Sequence, residues 1–209
     1  MGKRDEVEKY LETHCAGNVQ QILGRFDIYY NWLLDENEKI NLISRKTDPD
    51  DIWTLHFLDS LLSIDCVDYH KKHVLDFGTG GGFPGVPLSV LYPDAQFTLL
   101  DSTKKKIQAV KSGAAVLGLT NCSFIDVRLE EVPENCYGSF DIIVSRSVRI
   151  TPEFKKVIFK LLRNDGIIVL YKSQNLDDAA LFTKVHITDV STPLVGERKI
   201  IVIRKSECV

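Results

Sequence analysis

The stretch Asp76-Phe77-Gly78-Thr79-Gly80-Gly81-Gly82-Phe83-Pro84-Gly85 constrains this chain more than any other. It follows the apolar pair Val74-Leu75. Beyond it a helical pattern over 85–92 leads to a second apolar run, Phe97-Thr98-Leu99-Leu100-Asp101. A strand, a glycine turn, a helix and a strand ending in a carboxylate make a unit that binds a nucleoside. Glycine is needed because the backbone turns sharply and a ligand approaches it closely. The literal pattern Gly80-x-Gly82-x-x-Gly85 is common to several enzyme classes, so its surroundings must discriminate among them.

Those surroundings predict an α/β sheet. β-rich runs occur at 73–77, 96–101, 122–125, 140–145, 166–171, 184–190 and 199–204, with helical patterns at 85–92, 103–117 and 152–162 between them. Alternation of this kind predicts a parallel, doubly wound sheet. No helical signal separates the last two runs, so they are expected to form a hairpin with an antiparallel final strand. Residues 1–70 read instead as a helical extension, followed by the α/β domain over 71–209. An apolar stripe runs from Val19 to Leu33 at three- and four-residue steps, and a second helix is expected over 50–62 after a Thr47-Asp48-Pro49 start,. Residues 41–46 read as a connector.

The acids around the turn narrow the ligand. A pyrophosphate needs bare N–H groups at the helix start, and a carboxylate there repels it. Asp76 stands where that repulsion is felt. A sulfonium nucleoside with an ammonium group reverses the preference, which points to S-adenosylmethionine. Asp76 is then expected to help hold the methionine end, directly or through water. Asp101, about 20 residues beyond Gly80, is placed to accept hydrogen bonds from ribose hydroxyls. The alternative for Asp101 is an N-cap of the following helix.

Composition excludes other classes. The chain has 209 residues, enough for one domain with a small extension, and a charged fraction of 26%,. No apolar run approaches the roughly 20 residues of a membrane span. The segment from Met1 to Glu6 lacks the apolar core of a signal peptide, so a cytoplasmic protein is expected,. Five cysteines without CxxC spacing predict neither a disulfide framework nor a metal site,. Net charge is −3, yet lysines and arginines gather between Lys104 and Lys172. Such a patch can meet nucleic acid, or it can be ordinary solvated helix faces.

Several segments in order resemble the bacterial RsmG (GidB) family of 16S ribosomal RNA guanine-N(7) methyltransferases. They are Tyr29-x-x-x-Leu33 with Asn37 and Asn41-Leu42; His56-x-Leu58-Asp59-Ser60; Asp76 to Pro87; Leu99 to Ser102 with Lys105; Val127 to Glu131; Phe140-Asp141 with Ser145-Arg146; Leu170-Tyr171-Lys172; and Gly196-Glu197-Arg198. Departures are Glu36 for the family's tryptophan, Leu55 for its arginine, Ser147 for its alanine and Ser173 for its glycine.

The resemblance implies a class I S-adenosylmethionine-dependent methyltransferase, Rossmann-like, with a seven-stranded sheet whose last strand is antiparallel. It implies methyl transfer to N(7) of a guanine in the helix 18 (530 loop) region of 16S RNA in the small subunit. Cofactor contacts are then expected from Asp76, Gly78, Gly80, Gly82, Phe83, Asp101, Leu129, Glu130 and Arg146. Arg128, Arg146 and Lys172 become candidates for holding phosphate or the guanine O(6) face. Structural alternatives stand beside these roles: an Arg128–Glu131 surface pair, Arg146 capping a strand end, and a His56–Asp59 pair in place of an RNA-facing cleft. Neither metal nor membrane is expected; the oligomeric state is not readable from the residues, with a monomer as the working expectation. Rival classes are a methyltransferase of a small molecule or protein, a nicotinamide oxidoreductase, and an RNA-binding module without turnover.

Overall fold

The computed structural model describes residues 2–15 and 17–208; the outer ends of the two expected ranges, Met1 and Val209, lie outside it. Seven strands form one sheet: β1 (His73–Phe77), β2 (Gln96–Leu100), β3 (Cys122–Ile125), β4 (Phe140–Arg146), β5 (Leu162–Lys172), β6 (His186–Asp189) and β7 (Lys199–Arg204). Their spatial order is β3-β2-β1-β4-β5-β7-β6. The first five run parallel, while β7 pairs antiparallel with both β5 and β6. The expected hairpin and the reversed last strand are both present.

Strand residues alternate between two cores, as a sheet covered on both faces requires. Val74, Leu99, Ile142, Val144 and Val169 face one core. Leu75, Leu100, Ile143, Ile168 and Leu170 face the other, against α6 (Pro152–Leu161). The first face carries α4 (Gly85–Leu91), part of α5 (Lys104–Val116) and the N-terminal helices. These helices are α1 (Lys3–His14) and α2 (Val19–Lys39), and their buried Leu11, Leu23, Phe26 and Leu33 join the sheet's core without a break.

The helix expected over 50–62 is wound differently from its prediction. Trp53–Leu58 forms a π-helical turn that passes into the short α3 (Asp59–Leu61). The wider turn buries Trp53, Thr54 and Phe57 and leaves Leu55 and His56 half-buried. A stripe read at 3.6-residue spacing does not anticipate that face. π turns of this kind concentrate at functional sites.

β1 and β4 are neighbours, with β2 beyond one and β5 beyond the other. The chain therefore reverses its winding direction between them, and the crevice at their carboxyl ends is where ligands bind in such sheets.

Candidate active site

The glycine turn is fixed from beneath. Asp76 is fully buried, and its Oδ2 accepts from Thr79 Oγ1 (2.6 Å) and Gly85 N–H (2.8 Å). Its Oδ1 has no partner. Burial outweighs these hydrogen bonds and pushes the carboxyl up to about 6,. From the other side the buried Tyr29 hydroxyl of α2 donates to Gly81 C=O at 3.0 Å. Gly78 and Gly82 sit at φ +77° and +85°. A Cβ on Gly78 would lie 2.4 Å from Val148 Cγ2, and one on Gly82 would lie 2.4 Å from the Tyr29 hydroxyl.

Above this turn opens a cleft of about 580 Å³, within the range of small-ligand sites,. Gly78 to Gly81 and Phe83 form one side, and Asp101, Leu129 and Glu130 the other. Asp101 Oδ2 accepts from Gly80 N–H (3.1 Å) and Oδ1 from Thr103 N–H (2.8 Å). Thus the carboxylate steadies the turn and the helix start, and stays half-exposed to the cleft. Leu129 and Glu130 arrive on a single 3₁₀ turn after β3.

Asp76 and Gly82 stand behind the residues that border the cleft: Asp76 is turned inward to the loop it organises, and Gly82 is packed under Tyr29. Conversely, Leu42 and Ile43 border the cleft although residues 41–46 read only as a connector. Their N–H groups both donate to Asn37 Oδ1, at 2.8 and 3.0 Å. The Asn37, Asn41-Leu42 segment carried that signal.

A second cavity of about 550 Å³ adjoins the first at the ends of β4 and β5. His56, Arg146, Ser147 and Val148 border both. Arg146 is the hub. Its guanidinium donates to Leu55 C=O (3.0 Å), Asp59 Oδ2 (2.9 Å) and His56 Nδ1 (2.9 Å). Its Cζ stands 5.4 Å from the Phe83 ring centroid, a cation–π contact,. Asp59, 0% exposed, also accepts from Arg198 Nε at 2.7 Å through Oδ1. His56 and Asp59 are therefore joined through Arg146 rather than paired with each other. Burial, then the charges of Arg146 and Arg198, hold His56 down to about 3. The role of Arg198 was not assigned by sequence reasoning; its place just before the last strand was the only sign.

Lys172, at the end of β5, donates to Val148 C=O (3.1 Å) and pairs with the buried Asp178. Asp178 Oδ2 also accepts from Ile150 N–H at 2.8 Å. Together they clip the β4–α6 loop, where Ser147 adopts φ +63°. Lys172 borders the second cavity while being committed to the loop. Arg128 borders the first cavity; Glu131 accepts from its backbone N–H (3.4 Å) rather than from its guanidinium.

This sheet order, with its reversed last strand and a cleft at the carboxyl ends of its parallel strands, is that of a class I methyltransferase. Solved structures agree on the fold: MtNAS in complex with MTA and tNA aligns over 95% of this chain and 81% of its own, with TM-score 0.62 and 12% identity. The tRNA (m1A58) methyltransferase TrmI from Aquifex aeolicus aligns over 71% and 68%, with TM-score 0.54 and 15% identity.

The chain belongs to the rRNA small subunit methyltransferase G (GidB) family, which matches residues 22–199. Ribosomal RNA small subunit methyltransferase G of Syntrophus aciditrophicus is 33% identical over 198 residues, covering 88% of this chain and 82% of the relative. The same-named protein of Chlorobium luteolum is 32% identical, covering 97% and 91%. That of Christiangramia forsetii is 40% identical, covering 82% and 81%. No described helix is long and apolar enough to cross a membrane.

Proposed function

We propose that this enzyme transfers a methyl group from S-adenosylmethionine to N(7) of a guanine in the helix 18 (530 loop) region of 16S RNA. The observation that carries the reading is the adjoining of two cavities at Arg146. In this reading the first holds the methyl donor. Asp101 takes the ribose hydroxyls, Leu129 and Glu130 flank the adenine, and the Gly78–Gly81 backbone receives the methionine portion beside Phe83. The fit rests on two features: a half-exposed carboxylate pinned to Gly80 N–H, and a backbone wall from Gly78 to Gly81 that borders the cleft without side chains of bulk at its three glycines. Asp76 and Gly82 act from below by shaping the turn.

When bound, S-adenosylmethionine supplies an electrophilic methyl group on a sulfonium centre. Guanine N(7) offers a lone pair and has no proton to lose, so the chain need not supply a general base. Its task is positioning, which can contribute about 7–11 kcal/mol. Arg146 positions both sides at once: it packs over Phe83 on the cofactor side and is locked by Asp59 and His56 on the acceptor side. Lys172 acts by holding the 147–150 loop through Val148 and Asp178. Arg128, on the rim of the first cavity, is left for phosphate. We place the enzyme in the cytoplasm as a monomer, with residues 1–70 serving as a wall of both cavities and 71–209 as the methyltransferase domain.

The test is transfer of tritium from labelled S-adenosylmethionine. Small subunits, free 16S RNA and a protein mixture serve as acceptors. Label in the 16S RNA supports the reading; label confined to protein or small molecules ends it.

A further inference from the structure

Arg146 restricts what His56 can do. A guanidinium only donates, so the ring nitrogen that receives it must be an unprotonated acceptor. That nitrogen is Nδ1, met by Arg146 Nη2 at 2.9 Å. A neutral imidazole then carries its proton on Nε2. The ring packs against Phe83 with centroids 5.0 Å apart. Protonation of Nδ1 would break the Arg146 bond and set two cations together, with Arg198 close behind.

The outward edge of the ring is free. Nε2 has no hydrogen-bond partner among the described residues, and it is not sealed from solvent. The ring borders both cavities, and Nε2 is its one nitrogen left without a partner among the described residues. Two cations beside it are committed elsewhere: Arg146 to Leu55, Asp59 and His56, and Lys172 to Val148 and Asp178, while Arg149 also borders the second cavity.

We propose that His56 Nε2–H is the donor that recognises O(6) of the target guanine, and so selects guanine over adenine. The inference rests on the reading of the second cavity as the guanine site. Guanine presents two adjacent acceptors on its major-groove edge, N(7) and O(6), whereas adenine presents an acceptor beside an amino donor. An N–H beside the reacting nitrogen satisfies the first and opposes the second. A neutral donor has a further advantage. The base gains positive charge as N(7) is methylated, and an imidazolium at O(6) would oppose that charge.

The experiment is a cycle between side chain and base. Small subunits are reconstituted with ligated 16S RNA carrying guanine or 2-aminopurine at the target; the latter keeps N(7) and lacks O(6). Single-turnover rates are measured with the wild type, His56→Ala and His56→Gln, and calorimetry with S-adenosylhomocysteine reports whether the cofactor site of each variant is intact. The expected result is that losing O(6) slows the wild type by about 10- to 100-fold. The same change should slow His56→Ala far less, and the glutamine amide should restore much of the discrimination. Equal base ratios in wild type and His56→Ala, with cofactor affinity retained, overturn the proposal and leave His56 as a prop for Arg146. Failure of the wild type to methylate guanine-bearing subunits would instead overturn the functional reading, and this inference with it.

Discussion

The first cleft takes much of its wall from backbone of one short stretch, Gly78 to Gly81, steadied by a hydrogen bond from Gly80 N–H to Asp101 and one from Tyr29 to Gly81 C=O. The second cavity is walled by side chains from segments far apart in sequence: His56 and Asp59, Arg146, Lys172 and Arg198. Its coherence comes from charge. One buried carboxylate, Asp59, ties Arg146 at the end of β4 and Arg198 just before β7 to the N-terminal extension. A site made of backbone tolerates loss of most single side chains but not an added Cβ. One made of buried ion pairs fails when a single partner is removed, because a charge is left without compensation.

That contrast is most exposed at Asp59. Asp59→Ala leaves Arg146 and Arg198 without their shared carboxylate and should cost about 3–5 kcal/mol of stability in urea unfolding. Methyl transfer should fall with it, and more steeply than affinity for S-adenosylhomocysteine in the folded fraction. Equal losses in both would mean that the two cavities are not built separately.

On the cofactor side the corresponding change adds an atom. Gly78→Ala places a Cβ 2.4 Å from Val148 Cγ2 at φ +77°. Strain of about 1–3 kcal/mol is expected, with S-adenosylhomocysteine binding weakened by roughly tenfold or more in calorimetry. Asp101→Asn should weaken that binding by about tenfold, the worth of a hydrogen bond to a charged group. Unaltered affinity would remove the ribose role.

The smallest expected effects are in pH dependence, and the two regions should differ in sign. Asp76 is raised from 3.8 to about 6, so the folded state holds its proton longer than the unfolded chain. Its contribution is fully present below about 4 and is lost as pH rises through about 6. His56 is lowered from 6.5 to about 3, so the unfolded chain takes up the proton first. Its contribution is present above 6.5 and declines as pH falls toward 3. Urea unfolding between pH 4 and 7.5 should therefore show Asp76→Asn and His56→Gln changing the slope in opposite directions. Slopes changed in the same direction would contradict one of the two burial arguments.

The same contrast explains what the residues alone revealed. The sheet, its order of elements and the reversed last strand follow from local runs and periodicities, and the glycine turn from contiguous residues, so both were legible. The place of Asp101 beside the cleft was legible because the end of the second strand faces the turn. The inward turn of Asp76 was not, since nothing in Asp76-x-Gly78 says whether a carboxylate faces ligand or loop; Thr79 and Gly85 decide it. The joining of His56 and Asp59 through Arg146 spans 90 and 87 residues and depends on a π turn that no 3.6-residue stripe predicts. The pairing of Lys172 was hidden for the same reason: Asp178 reaches it only through a 3₁₀ turn beyond β5.

The meeting of the two cavities at Arg146 is tested most directly by nucleotide-resolution mapping of N(7)-methylguanine. The substrate is 16S RNA from small subunits treated with wild-type enzyme or with Arg146→Ala, each at saturating S-adenosylmethionine. One modified guanine in the helix 18 region with the wild type, and a mark reduced by at least about 100-fold with the variant, is the predicted result. A mark elsewhere in the RNA, or one undiminished by the variant, would contradict it.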